Sequence, residues 1–498
     1  MYFCTCPILD VEAKFAIGRL DGMKKIVLLN PPLSEEERGG KLRSAIAVGM
    51  PYGLLSIASV VRNHGYEVSL IDATNLGYST AETVERILAL APDYVGITTV
   101  TLAIDRCSEV AASLKARNPD LQVIAGGAHI SSTPKETMRL YPALDIGVIG
   151  EGEETIVELL KALDEKRDLA GIKGIIYRKD GEIVQEQRRP FQTDLDRLPF
   201  PAWDVLPDLK MYRPSAPSYV RLPSTTIVTS RGCPGRCIFC NSKAMYGNLR
   251  CFSAGYVLSM IEHLVKTYGI RDLSIYDDNF LFFEDRVRQI CNTIIANRMD
   301  LTWSCYSRVD HGNLELFKLM KKAGCWQVSY GIESGSQRIL DSIKKDVTLR
   351  QISDTVRLTK QAGLRTRGFF IIGHLQDDLD SIRETIEFMR SIPLDDFHFT
   401  TFTPLPGTAA YAMADRYGTF DRTWSKMNMQ YPCFIPKGLT AEQMEGLAQA
   451  AYKKFYFRPR IVGSYLSMLA HHPANVRRLM NGANALITKI FTKAAAPA

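Results

Sequence analysis

Between Lys25 and about Leu160, short β-branched apolar runs alternate with stretches whose apolar positions recur at helical spacing. The runs are KIVLLN, EVSLID, YVGITT, LQVIAGG and DIGVIG; GLLSIASVVRNHG, stopped by Gly65, typifies the stretches between them. That alternation predicts a parallel, doubly wound, Rossmann-like sheet with ligands at the carboxyl ends of its strands. GIIYRKDGEIVQE reads as a hairpin turning at Asp180-Gly181, and a connector rich in proline follows, from Pro190 to Pro223. A second alternation runs from TTIVTS (225–230) to TFTPLPGT (401–408), with LSIYDD, LTWSCYS, WQVSYGIE, TRGFFIIG and DFHFTTFT as further strands. Six β/α units of this size predict a partial (β/α)6 barrel, open on one side, with its chemistry on the loops after the strands. The class is therefore α/β. The expected divisions are 24–165 for the first sheet, 166–223 for hairpin and linker, 224–411 for the barrel, and 412–498 for a helical, basic C-terminal region.

Composition narrows this little. The 498 residues suit two or three domains, and 46% hydrophobic with 23% charged residues is ordinary for a globular chain. No apolar run reaches the roughly 18 residues of a membrane span, and the first residues do not read as a secretory signal. Met23, just before the first strand, is a second candidate start. Eleven scattered cysteines suit a reduced cytoplasm better than a disulfide framework. Charge is more telling at one end. After Glu445 there is no Asp or Glu but there are Lys453, Lys454, Arg458, Arg460, Arg477, Arg478, Lys489 and Lys493, interleaved with apolar residues. Such a segment is either a helical cap with a solvated basic face or a surface for anionic membrane at the inner face. No nucleic-acid reader motif is present.

Residues 230–243 read SRGCPGRCIFCNSK, placing Cys233, Cys237 and Cys240 directly after the first strand of the barrel. Three thiolates are one short of a closed zinc site, but they can hold three irons of a four-iron cluster and leave the fourth open. C-x3-C-x2-C in this position, with Phe239 before the last cysteine, resembles the radical S-adenosylmethionine superfamily. The resemblance implies a [4Fe–4S] cluster on the three cysteines, with S-adenosylmethionine chelating the open iron. It also implies contacts to that molecule from Phe239, from Asp277, Asp278 and Asn279 of IYDDNF, from Ser307 and Arg308 of YSRVD, and from Glu333 of GIESGS. Ile371 and Gly373 of FFIIGH match two positions of the adenine motif G-x-I-x-G-x-x-E, which is lost at Phe369 and Gln376. Pro404 closes the sixth strand.

The N-terminal unit resembles the cobalamin-binding domain often fused to this barrel. By that likeness Thr98, Thr99, Val100 and Thr101 form the loop under the macrocycle, and Gly126 and Gly127 let it approach the backbone. His129, Gly150 and Glu151 complete the expected contacts. The axial-histidine motif D-x-H-x-x-G is missing: NPPLSEEERGG follows the first strand, and DATNLG (72–77) has Thr74 in place of histidine. Cobalamin is thus expected without a protein ligand on cobalt, or not at all. Over Lys25 to Tyr411 the chain is most similar to the branch containing the anaerobic magnesium-protoporphyrin ester cyclase and the hopanoid-pathway enzymes. This implies an enzyme whose 5′-deoxyadenosyl radical abstracts hydrogen from an unactivated carbon of a small-molecule or lipid substrate, with a flavodoxin- or ferredoxin-type electron donor. Methylation through cobalamin is the leading outcome. A cobalamin-independent cyclisation, coupling, dehydration or oxidation remains open, as does a corrinoid sensor or carrier with an inert barrel.

Overall fold

The structure, a computed structural model, describes residues 22–39, 48–212, 214, 218–471 and 487. Its first sheet has seven strands: β1 (Lys25–Asn30), β2 (Glu67–Asp72), β3 (Tyr94–Thr98), β4 (Gln122–Gly126), β5 (Ile146–Val148), β6 (Ile175–Lys179) and β7 (Glu182–Gln185). Their order is β2-β1-β3-β4-β5-β6-β7, parallel through β5 and antiparallel for the last two. The apolar runs form strands because helices bury both faces: Ile26, Val27, Leu28 and Leu29 are all within the core. The hairpin turns at Asp180-Gly181, where φ is 51° and 83°, as its two-residue turn requires. It hydrogen-bonds onto β5 and so extends the first sheet.

The chain between the sheets is not a loose tether. Leu195, Trp203, Leu206 and Leu209 are buried in it, and the Tyr212 hydroxyl donates to Asp72 Oδ2 at 2.8 Å. That bond explains the fate of DATNLG. Asp72 also accepts from Asn30 and Asn75, so the motif caps a turn and ties the connector to β2.

The second sheet comprises β8 (Ser224–Ile227), β11 (Asp272–Ile275), β12 (Thr302–Ser307), β13 (Cys325–Glu333), β14 (Arg365–Ile372) and β15 (Asp396–Thr401). Two short strands lie between its first two members, β9 (Ser230–Arg231) and β10 (Arg250–Cys251), paired with each other. The six strands are all parallel in the order β15-β14-β13-β12-β11-β8 and do not close, as a partial barrel requires. Helices cover the convex face, where Phe370 is buried and Tyr330 shares a 2.7 Å hydrogen bond with Thr359. Strand alternation then turns the neighbours of Tyr330 and Phe370 toward the concave side.

Beyond the barrel come a helix Ala409–Tyr417, a ladder of β16 (Gly418–Phe420) with β17 (Phe434–Pro436), and helices Ala441–Tyr456 and Pro459–His471. Tyr452 and Phe455 pack on Phe397 at 4.7 Å between ring centroids, and Ile461 is buried. The first part of the basic tail is therefore a cap over β15. Arg477, Arg478, Lys489 and Lys493 lie outside the described residues.

Candidate active site

The sequence pattern extends the first barrel strand to Ser230, but β8 ends at Ile227. The reason is Asp277, two residues beyond the neighbouring strand β11, whose carboxylate accepts from both the Thr229 N–H and hydroxyl at 2.6 Å. With Arg286 at 3.6 Å, Asp277 is committed to turning the chain out of the sheet. The cysteine loop begins there. Gly235 N–H points at Cys233 Sγ (3.4 Å) and Ser242 N–H at Cys240 Sγ (3.5 Å). Burial pushes the Cys233 and Cys237 thiols up, so metal must displace their protons.

Among the described residues, no three His, Cys, Asp or Glu side chains converge as they would around a single metal ion. A four-iron cluster asks for a different arrangement, because each thiolate binds its own iron and the sulfurs stand apart. The surroundings suit that group. A Cβ added at Gly235 would sit 3.0 Å from Arg308 Nη1 and 3.4 Å from Cys233 Sγ, so a guanidinium lies directly against the loop. Lys345 supplies a second buried cation beside Cys237, held at 2.8 Å by Glu333. Two cations against three thiolates limit the cost of burying their negative charge.

The remaining barrel residues collect at the same carboxyl ends. The Asp278 carboxylate accepts from the Ser242 hydroxyl, and burial pushes its pKa up. Asn279 Oδ1 accepts from Ser307 Oγ (2.8 Å) and Arg308 N–H (3.3 Å), while its buried Nδ2 has no partner among the described groups. An unspent donor beside the cysteine loop fits an oxygen-rich ligand such as the methionine end of S-adenosylmethionine. Glu333 sits at φ +70° after an irregularity in the β13–β14 register. A Cβ on Gly331 would be 2.6 Å from its Oε1, so glycine there makes room for the Lys345–Glu333 pair. Phe239 rests 5.7 Å from the His374 ring, and burial pushes His374 down to about 3. Ile371 packs in the same small apolar cluster as Phe239, and Pro404 is buried in the loop after β15. The helix that follows that loop donates its Ala410 N–H to the Ile238 carbonyl.

Sequence reasoning missed two residues here. Lys345 carried no signal, being one lysine in IKKD whose partner is 12 residues earlier. Asp377 was within reach: the adenine motif loses its glutamate at Gln376, and the next residue takes the work. Asp377 Oδ2 accepts from the N–H groups of Gly373 and His374 at 2.9 Å, fixing the turn after β14, where Gly373 has φ +84°.

The carboxyl edge of the first sheet is built from backbone. Thr99, fully buried, accepts from His129 N–H at its carbonyl and donates from both N–H and Oγ1 to the Gly126 carbonyl. Gly127 has φ +99°, and a Cβ there would meet Thr99 O at 2.8 Å, whereas nothing among the described residues lies within 4 Å of a Cβ at Gly126. One glycine is needed for packing; the other leaves open space for a broad ligand. Thr98 and Thr101 flank that space, and Val100 is exposed. His129 is buried, 3.2 Å from Thr101 Oγ1 and edge-on to Trp424, and burial pushes its pKa down to about 4. It is walled in rather than presented. Gly150 donates its N–H to Ser131, and Glu151 points away from this edge toward the barrel.

The two edges meet. Glu151 pairs with Arg231 (3.1 Å) and Arg250 (2.8 Å), and Glu153 with Arg231 (2.6 Å). Arg231 lies two residues before Cys233. Asn241, next to Cys240, donates to Ser132 Oγ at 2.6 Å, on the short helix after Gly127.

Comparison with known proteins agrees with this architecture. A family model described as B12 binding domain matches residues 42–160, and one described as Radical SAM superfamily matches 227–389. An uncharacterized methyltransferase of Pyrococcus horikoshii is 34% identical over 461 residues, covering 92% of this chain and 97% of its own. The anaerobic magnesium-protoporphyrin IX monomethyl ester cyclase of Rubrivivax gelatinosus is 27% identical, covering 82% and 73%. Among solved structures, the cobalamin-dependent radical enzyme OxsB with aqua-cobalamin and S-adenosylmethionine superposes with a TM-score of 0.70 at 19% identity, covering 91% of this chain and 72% of its own. The methyltransferase TsrM of Kitasatospora setae superposes at 0.64, with 19% identity and coverage of 79% and 75%. At such identities the structural likeness speaks for the fold.

Proposed function

The chain belongs to the radical S-adenosylmethionine enzymes that carry a B12-binding domain, and from that premise we propose a cobalamin-dependent methyltransferase acting on an unactivated carbon. The family's cofactors are a [4Fe–4S] cluster, S-adenosylmethionine and cobalamin. Bound here, they supply a 5′-deoxyadenosyl radical for hydrogen abstraction and a methyl group for transfer. The observation that carries the reading is the Asn241–Ser132 hydrogen bond, which sets the cysteine loop against the open glycine edge. A substrate between them would meet both groups.

In this reading Cys233, Cys237 and Cys240 hold three irons. Asp278 and the Asn279 amide hold the methionine end, with Asp277 acting behind them by turning the loop. Arg308 and Lys345 would neutralise the thiolates, Glu333 would offer a carboxylate oxygen to ribose, and Phe239 and Ile371 would give adenine apolar contact. Thr98, Thr101 and Gly126 would hold the corrinoid, and His129, enclosed by Thr101 and Trp424, would not serve as its ligand. Electrons come from a flavodoxin- or ferredoxin-type donor. Anaerobic reconstitution with S-adenosylmethionine, methylcobalamin and reductant tests this. S-Adenosylhomocysteine formed together with 5′-deoxyadenosine supports methylation, 5′-deoxyadenosine alone points to another radical outcome, and neither product leaves a carrier.

We also propose peripheral contact with anionic membrane. It is supported by the exposed apolar residues Phe457, Val462 and Leu466 within the acid-free tail. No helix among the described residues is long and apolar enough to cross a membrane. Flotation with anionic vesicles should fall on changing Phe457 and Leu466 to serine; equal flotation would leave the tail as a cap.

A further inference from the structure

On the concave side of the barrel, four rings form a row near the carboxyl ends of the strands. Tyr276 and Tyr306 lie 4.8 Å apart between centroids, Tyr306 and Phe369 5.7 Å apart at 22°, and Phe369 and His398 6.3 Å apart. They come from four strands or strand ends, β11, β12, β14 and β15. On the intervening strand β13 the register partners of Tyr306 and Phe369 are Ser329 and Gly331, small enough to let the two rings close over it. The row is accessible: Tyr276 is 38% exposed and the other three are half-buried. It belongs to none of the groups assigned to cluster, S-adenosylmethionine or corrinoid.

Below the rings the lumen turns polar and stops. Arg367 lies 5.1 Å beneath Phe369, 3.2 Å from the Asp396 carboxylate, and donates to Ser218 Oγ at 3.0 Å. Ser304 shares a 3.3 Å hydrogen bond with Ser274, and Gln327 donates to Ser329. The connector at Ser218 closes the amino-terminal end. A long alkyl chain threaded downward would strip these buried polar groups of partners without replacing them. A flat π-face laid across the rings loses nothing and gains stacking.

We infer that this row is the substrate shelf and that it selects a planar aromatic or conjugated ring over a saturated one of equal size. The inference rests on the barrel mouth being the radical site. Phe369 stands where the adenine motif has glycine, so the departure from the motif is what builds the shelf.

The test uses the reconstituted full chain with S-adenosylmethionine and a matched probe pair, 2-naphthol and trans-2-decalol, with binding followed by calorimetry. Naphthol should bind about tenfold more tightly, the effect of one or two ring contacts. Phe369→Leu and Tyr306→Leu should each cut that preference to about threefold or less. Uncoupled formation of 5′-deoxyadenosine should stay within about twofold, since the rings do not hold the cofactors. Equal binding of the two probes, or a preference unchanged in both variants, overturns the shelf. Loss of 5′-deoxyadenosine formation with iron retained also overturns it, because the rings would then belong to the cofactor site. Failure of the unmodified chain to form 5′-deoxyadenosine would instead strike the parent reading and leave the probe preference standing.

Discussion

The two sheets present their carboxyl ends in opposite ways. The barrel fills its mouth with committed side chains: three thiols, two buried cations, a carboxylate at φ +70° and an amide with a spare donor. Among the described residues the first sheet's edge shows instead threonines, glycines and open space at Gly126, with His129 walled in. In the proposed reading a cluster and a small zwitterion would be gripped by charge and coordination, whereas a wide macrocycle would be seated by shape. The absence of side chains is itself a binding feature.

The largest expected effect strikes the barrel side alone. Cys240→Ala, like its Cys233 and Cys237 counterparts, should lower iron from about four per chain to near zero, read by iron assay and cluster absorbance. Corrinoid binding to the same variant should survive. Loss of both together would mean that the two edges do not assemble independently.

Next comes the joint between them. Arg231→Met strands Glu153, whose side chain is 9% exposed, and leaves Glu151 with Arg250 alone; breaking a buried pair from one side costs about 3–5 kcal/mol. Denaturant unfolding should show that loss, with the two sheets melting apart. A change under about 1 kcal/mol would mark the network as hydrated and weak.

Within the first sheet the glycines should separate packing from binding. Gly127→Ala forces a Cβ onto Thr99 at φ +99° and should cost about 1–3 kcal/mol of stability. Gly126→Val should leave stability within about 0.5 kcal/mol yet abolish corrinoid binding by filling the open space. Normal corrinoid affinity in Gly126→Val would place the macrocycle elsewhere.

The smallest effect follows pH. Each half holds a histidine that burial keeps neutral, His129 at about 4 and His374 at about 3, against 6.5 when unfolded. Below pH 6.5 the unfolded chain takes protons that these rings refuse, so stability is full above that value and falls on acidification toward pH 4. His129→Gln and His374→Gln should each flatten the pH 4–6.5 slope of the melting temperature. Glu153 acts lower in the range. Burial alone would raise its carboxyl, but Arg231 and Ser56 outweigh it and hold it below 4.5, so its contribution is lost as pH falls beneath that value.

Both alternating sheets were legible because each strand and helix declares itself within about a dozen residues. The cysteine triplet and the paired glycines were legible for the same reason. What escaped depends on distance along the chain. Arg231 finds Glu153 across 78 positions and Tyr212 finds Asp72 across 140, and no local pattern encodes either. Asp277 shows a second limit. Its place after a strand marked it for ligand contact, but the carboxylate turns back on Thr229, a choice made by neighbours in space. The small ladder of β16 and β17 escaped too, as three-residue strands carry almost no period.

An open barrel leaves β15 as an edge strand, and such edges invite pairing with other chains. Here the polypeptide fences its own edge: Thr401 N–H is taken by Met429 O at 3.0 Å and Phe399 N–H by the Tyr452 hydroxyl at 3.1 Å. The C-terminal helices therefore act as a guard against self-association, whatever else they touch. Cutting the chain near Glu445 to remove its basic tail would also remove Tyr452, Phe455 and Ile461. That would bare Phe397 and Phe399 and free the Phe399 N–H on an edge strand, and the shortened protein should form sheet-rich aggregates. Expression boundaries for this protein belong after His471.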